Sequence, residues 1–224
     1  MTERIAEPMG PIEAIIWDVD GTLADTLDLC ASALGTAIEQ FGGPTLTQQE
    51  IFSRFGPSEE GVLRNELGDQ WVDAIEVFLV EYTAGLDGLG FPEVCDVVRR
   101  LAHAGVPQSV VTAKGARGAA ITLESLGLSH VFEEVAAGSV DGLVKADQIA
   151  KIVDAWGFPP RQVAYIGDAP SDIRSSRTAG VVAVTAAWKS GADVDHLRSL
   201  EPDMVLLTED ELVEWVGGAV PALR

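Results

Sequence analysis

The chain has 224 residues, with 35 acidic and 15 basic side chains, a formal net charge of −20 and 47% hydrophobic residues. That length suits one large α/β domain with an insertion, or two modest domains. The acidity argues against nucleic acid or an anionic membrane as a partner, and no uncharged apolar run approaches the roughly 18 residues of a membrane span.

The amino-terminal stretch MTERIAEPMGP has acidic residues and no apolar leader, which fits a cytoplasmic protein. Cys30 and Cys95 belong to no CxxC pair and read as buried reduced thiols, not as a disulfide or zinc site. The apolar run IEAIIW (12–17) reads as a strand covered on both faces and ends at DVDGT. Residues 25 to about 90 then read as successive helices: DTLDLCASALGTAIEQFG, LTQQEIFSRFG, SEEGVLRNELG and DQWVDAIEVFLVEYTAGL. A helical insertion placed straight after the first strand stands over that strand's end, as a lid would.

Beyond it, strand and helix alternate. PEVCDVVRRLAHAG (92–105), GARGAAITLESLGL (115–128), DQIAKIVDAWG (147–157) and TEDELVEWV (208–216) read as helices. QSVV (108–111), QVAYIG (162–167), VVAV (181–184) and MVLL (204–207) read as strands. The alternation predicts a doubly wound, Rossmann-like parallel sheet, with residues 1–24 and 91–224 as its core domain and 25–90 as a helical cap. Ligands of such sheets bind at the carboxyl ends of the strands, where Asp18, Thr112 and Asp168 fall.

In DVDGT, Asp18 and Asp20 are two residues apart on an extended chain and so share a side, while Val19 turns toward the core. Carboxylates this close repel, and one titrates high unless a cation intervenes, which gives an ionised group and a protonated group side by side. Gly21 permits a tight turn that aims backbone amides at an anion. A calcium loop counted from Asp18 wants Gly and Glu at its sixth and twelfth positions and finds Leu23 and Leu29. In IGDAPSD, Asp168 ends a strand and Asp172 follows four residues on, entering a turn before SSRTAG. Hard oxygen ligands there suit magnesium; Asp172 is either a ligand or a helix cap. Lys145 and Lys114 are alternative sources of one positive charge. His103, His130 and His196 form no constellation and read as surface residues.

Together these motifs resemble the haloacid dehalogenase superfamily, in its phosphoglycolate-phosphatase-like branch. WDVDGTLAD is similar to the first family motif, VVTAK to the second, Lys145 to the third and GDAPSD to the fourth. The separation of 94 positions from Asp18 to Thr112 leaves room for that branch's helical cap. The resemblance implies a phosphatase in which Asp18 is the nucleophile and Asp20 the acid and base. It further implies magnesium held by Asp18, the Asp20 carbonyl and Asp168, with Asp172 through water. Thr112 and Lys145 would bind the phosphoryl group of a small phosphate ester, beside Gly21 and Ala113. A local positive centre inside a chain of charge −20 is thereby supplied by metal and lysine. Ala113 stands where many relatives have Asn, Trp17 where Phe is usual, and Ala146 where Pro is common. Asp20 favours a phosphatase over a dehalogenase, because an alkoxide leaving group needs a proton and a halide does not. Within the cap, Arg54 in SRFGPSEE (53–60) is the candidate for a second anionic group of the substrate. A phosphomutase with the same motifs is the alternative activity; a non-catalytic protein retaining the fold is the other.

Overall fold

The computed structural model describes residues 10–223; MTERIAEPM, with the start of the expected 1–24 segment, lies outside the described residues. Six parallel strands form one sheet in the order β3-β2-β1-β4-β5-β6. They are β1 Ala14–Trp17, β2 Gln108–Val111, β3 Val135–Ala136, β4 Val163–Gly167, β5 Val182–Ala186 and β6 Met204–Leu206. The α-helices run α1 Leu27–Gln40, α2 Gln48–Phe52, α3 Glu59–Leu67, α4 Trp71–Ala84 and α5 Pro92–His103. They continue as α6 Ala116–Ser125, α7 Lys145–Trp156, α8 Pro170–Ala179, α9 Val194–Ser199 and α10 Glu209–Ala219.

Each strand of the centre is buried on both faces, which is why its sequence is continuously apolar. In β1, Ile15 and Trp17 pack into a layer with Val94, Val98 and Leu101 of α5 and Leu212 and Val216 of α10. Ala14 and Ile16 turn the other way, onto Ile149, Ile152 and Val153 of α7 and Tyr165 of β4. The Trp17 indole N–H donates to the Gln108 side chain (3.0 Å), so its one polar atom is satisfied inside the core. Trp17 pairs in register with Val110 and with Ile166, so β1, β2 and β4 end at one level. Asp18, Thr112 and Asp168 therefore emerge together where the strand order reverses, the place such sheets bind ligands.

Between β1 and α5 the chain builds a second apolar cluster, with Leu34, Ile38, Leu63, Phe78 and Tyr82 drawn from α1, α3 and α4. Its two connections to the sheet run side by side: the Asp25 N–H donates to the Leu89 carbonyl (2.7 Å) and the Phe91 N–H to the Leu23 carbonyl (3.1 Å).

Four elements differ from the sequence reading. β3 has two residues on the sheet edge, within the acidic VFEEVAAG, and is too short to leave an apolar run. The stretch after Gly167 is no simple turn but opens α8, with Pro170 at its first position and the Asp172 carboxylate accepting from the Ala169 N–H (2.9 Å). Its sequence is largely polar and hides the helical stripe. Helix α7 begins at Lys145 itself, two residues earlier than DQIAKIVDAWG. α9 spans only six residues and leaves no clear periodicity.

Candidate active site

The floor of the site is the end of β1. The Asp18 carboxylate is buried and held at both oxygens: Oδ1 accepts from the Val19 N–H (2.7 Å) and Oδ2 from Lys145 Nζ (2.6 Å). Lys145 reaches there from the first residue of α7 and also donates to Asp172 Oδ1 (2.6 Å). Tyr165, below on β4, donates its hydroxyl to the Val111 carbonyl (2.8 Å) and reaches Asp172 Oδ1 (3.3 Å). Burial pushes the Asp18 carboxyl up to about 6, against the pull of the Lys145 ammonium. Burial also pulls the Lys145 ammonium down, but the Asp172 and Asp18 carboxylates outweigh it and hold the lysine charged.

One ammonium does not balance three carboxylates. Asp18, Asp168 and Asp172 each offer an oxygen, and these lie within 4.8 Å of one another. Burial, then the neighbouring Asp172 and Asp18, push the Asp168 carboxyl well above its ordinary range. Gly21, at φ 77°, presses so close to Asp168 that a Cβ there would collide with its carboxylate. An all-oxygen donor set with surplus negative charge fits a small hard divalent cation. Asp172 has both oxygens engaged, one on Lys145 and one on the Ala169 N–H. It also caps α8, so the two roles weighed for it are not exclusive.

A second buried group stands beside the first. Lys114 points inward: its Nζ lies 3.2 and 3.3 Å from the two oxygens of Asp20, 2.9 Å from Glu59 Oε1 and 4.0 Å from the centre of the Tyr82 ring. Asp20 Oδ1 also accepts from the Thr26 hydroxyl (2.5 Å). Glu59, the first residue of α3, was missed in the sequence because acids in a first helical turn are ordinary partners of the helix dipole. Tyr82 and Tyr165 were hidden inside apolar runs.

A cavity of about 470 Å³ opens above these residues. Asp18, Asp20, Thr112, Ala113, Lys114, Lys145 and Asp168 line its floor, and Leu34, Phe52, Phe55, Pro57 and Leu143 contribute apolar wall. Arg54 is elsewhere: its Nε donates to Glu66 (2.6 Å) and its Nη1 to the Glu50 carbonyl (2.5 Å), and it is not among the lining residues. The cations that do reach the rim are Arg174 and Lys189. His103, His130 and His196 are exposed, and both cysteines are buried free thiols. Among the described residues no helix is long and apolar enough to cross a membrane.

An acidic, lysine-bridged cavity at the switch point of a parallel sheet, beside helices inserted between β1 and α5, defines a doubly wound α/β protein with a ligand site at its strand ends. The haloacid dehalogenase-like hydrolase family matches residues 15–186, and the chain belongs to that family, in its phosphoglycolate-phosphatase-like branch. It is similar to the phosphoglycolate phosphatase of Synechococcus elongatus, 26% identical over 208 residues, 92% of this chain and 97% of that protein. It is also 28% identical, over 96% of its length and 76% of the other's, to the tyrosine-protein kinase PtkA of Mycobacterium tuberculosis. The crystal structure of a predicted phosphoglycolate phosphatase from Haemophilus somnus shares the fold at a TM-score of 0.76 and 19% identity, covering 92% of this chain and 99% of that one.

Proposed function

We propose that this enzyme is a magnesium-dependent phosphatase that hydrolyses a small phosphate monoester, phosphoglycolate or a small sugar phosphate, through an aspartyl phosphate on Asp18. The observation that carries this reading is the Asp18 carboxylate, fixed at both oxygens and aimed into the cavity beside Asp20 and Lys145. Asp18 attacks phosphorus, the P–O bond to the leaving group breaks, and Asp20 donates its proton to the departing alkoxide. Asp20 then takes a proton from water, which attacks the aspartyl phosphate and releases inorganic phosphate. Lys145 and the Thr112 hydroxyl bind phosphoryl oxygens through the reaction. Magnesium, held by Asp18, the Asp20 carbonyl and Asp168, would offset the repulsion between the Asp18 carboxylate and the anionic substrate. Residues 25–90 act as the cap, moving about the paired connections at Ala24 and Gly90.

A magnesium-supplemented panel of phosphoglycolate, sugar phosphates, nucleotides and pyrophosphate tests the proposal. Release of inorganic phosphate, with a transient phosphate adduct on Asp18 by mass spectrometry, supports it. An isomerised sugar phosphate in place of free phosphate identifies a mutase, and no turnover on any ester sinks the enzymatic reading of this site. Because one relative is named a kinase, the panel should include a phosphoryl acceptor other than water.

A further inference from the structure

Glu59 belongs to the helical insertion, yet its carboxylate is buried against the core. Oε1 pairs with Lys114 at 2.9 Å and Oε2 accepts from the Gly115 N–H at 2.5 Å. The same end of α3 is tied to a second core loop. The Ser58 N–H donates to the Ser139 carbonyl (2.9 Å), and from the last turn of the helix Arg64 reaches back to the Val140 carbonyl (3.0 Å). Gly61 meets that loop so closely that a Cβ would stand 2.6 Å from the Val140 oxygen. The start of α3 is therefore seated on the core at two loops, and Glu59 is its one buried charge there.

Distances rank the partners of Lys114. Glu59, at 2.9 Å, is nearer than either oxygen of Asp20, at 3.2 and 3.3 Å. The Lys114 ammonium is thus held between the two carboxylates, in an ion pair with Glu59 and donating almost evenly to both Asp20 oxygens, with the Tyr82 ring 4.0 Å away. Stability alone does not call for this. Lys114 and Asp20 would already balance, and a second buried carboxylate adds desolvation that is hard to recover.

We propose that Glu59 is a positioning residue for Asp20: it holds Lys114 so that the ammonium fixes the Asp20 carboxylate, and it does so only while the start of α3 is seated on the core. The insertion then governs the proton-transfer residue as well as access to the cavity. This rests on the reading of Asp20 as the acid and base.

The test is a leaving-group series of phosphate monoesters, from alkyl phosphates to 4-nitrophenyl phosphate, run on the wild type, Glu59→Gln, Lys114→Met, the double variant and Asp20→Asn. Glu59→Gln leaves Lys114 and Asp20 balanced and should fold, which a thermal melt checks. It should lower kcat on alkyl esters roughly tenfold or more, within the range of proton-transfer catalysis, and should spare the nitrophenyl ester and KM. In the Lys114→Met background the same change should add nothing further, since the lysine through which Glu59 acts is gone. Equal losses on alkyl and aryl esters, an effect confined to KM, or additivity with Lys114→Met would overturn the proposal. If Glu59→Gln does not fold, comparison of Lys114→Met with the double variant decides it alone. Asp20→Asn tells apart the other failure: if it does not discriminate alkyl from aryl esters, the acid-base reading falls first.

Discussion

Two buried lysines stand at the mouth of the sheet, each between two carboxylates and each near a tyrosine ring, but they join different things. Lys145 binds Asp18 and Asp172 at 2.6 Å each, and all three residues come from the sheet and its flanking helices. Lys114 binds Asp20 from the core and Glu59 from the insertion, at longer distances. The first is a fixture of one packed unit, and its geometry does not depend on the insertion. The second spans a seam, so its geometry exists only while the seam is closed. Under the proposed mechanism, the site thus holds its nucleophile, Asp18, by contacts within the core and its acid and base, Asp20, by a contact that includes the insertion.

The largest effect expected is at the rigid half. Asp18→Asn should leave the fold intact and remove essentially all turnover, since an amide is a poor nucleophile and a weaker metal ligand. Phosphate release by the pure variant measures this, and substantial residual activity would contradict covalent catalysis on Asp18.

Removing Lys145 strands two buried carboxylates, a change that costs roughly 3–5 kcal/mol when one partner of a buried pair is lost, and removing Lys114 strands the buried Glu59 and the partly exposed Asp20. Lys145→Met and Lys114→Met should therefore both lower the melting temperature. They should part on adding magnesium. A cation among Asp18, Asp168 and Asp172 takes up the charge that Lys145 leaves, so Lys145→Met should regain stability, whereas the Asp20 and Glu59 carboxylates left by Lys114→Met lie outside that cluster. On activity, Lys145→Ala should lower kcat/KM by roughly two or more orders of magnitude. Equal recovery of both variants with magnesium would erase the distinction between the two halves.

The rigid half was legible in the sequence and the seam was not. DVDGT and GDAPSD declare their carboxylates because aspartates at the ends of apolar strands have no packing reason to be there. Register then brings them to one level without any knowledge of side-chain direction. In the sequence Lys114 and Lys145 are alternatives for one charge; the structure gives each lysine a separate pair of carboxylates. Nothing in SEEGVLRNELG marks Glu59 apart from Glu60, since which of two adjacent helical acids faces a neighbour depends on how the helix docks. Such a contact crosses 55 residues of chain and leaves no local pattern.

Metal exchange probes the rigid half more gently. Turnover should require magnesium and stop in excess chelator, and calcium should inhibit, since it takes more ligands at longer distances and displaces the Asp18 carboxylate from its line of attack. Full activity in chelator would remove the metal from the reading of Asp18, Asp168 and Asp172.

The smallest effect expected is at Arg54, where the sequence placed a substrate contact in the cap. The side chain is about 29% exposed and spends its donors inside the insertion, on Glu66 and on the Glu50 carbonyl. A partly exposed ion pair of this kind contributes roughly 0–1 kcal/mol. Arg54→Ala should therefore shift the melting temperature slightly and leave KM for anionic and neutral esters alike unchanged. Arg174, exposed on α8 and lining the rim of the cavity, is the contrasting variant. Arg174→Ala should raise KM for esters that carry a second anionic group and spare those that do not. A KM effect at Arg54 with none at Arg174 would reverse the assignment and would require the insertion to move Arg54 into the cavity when substrate binds.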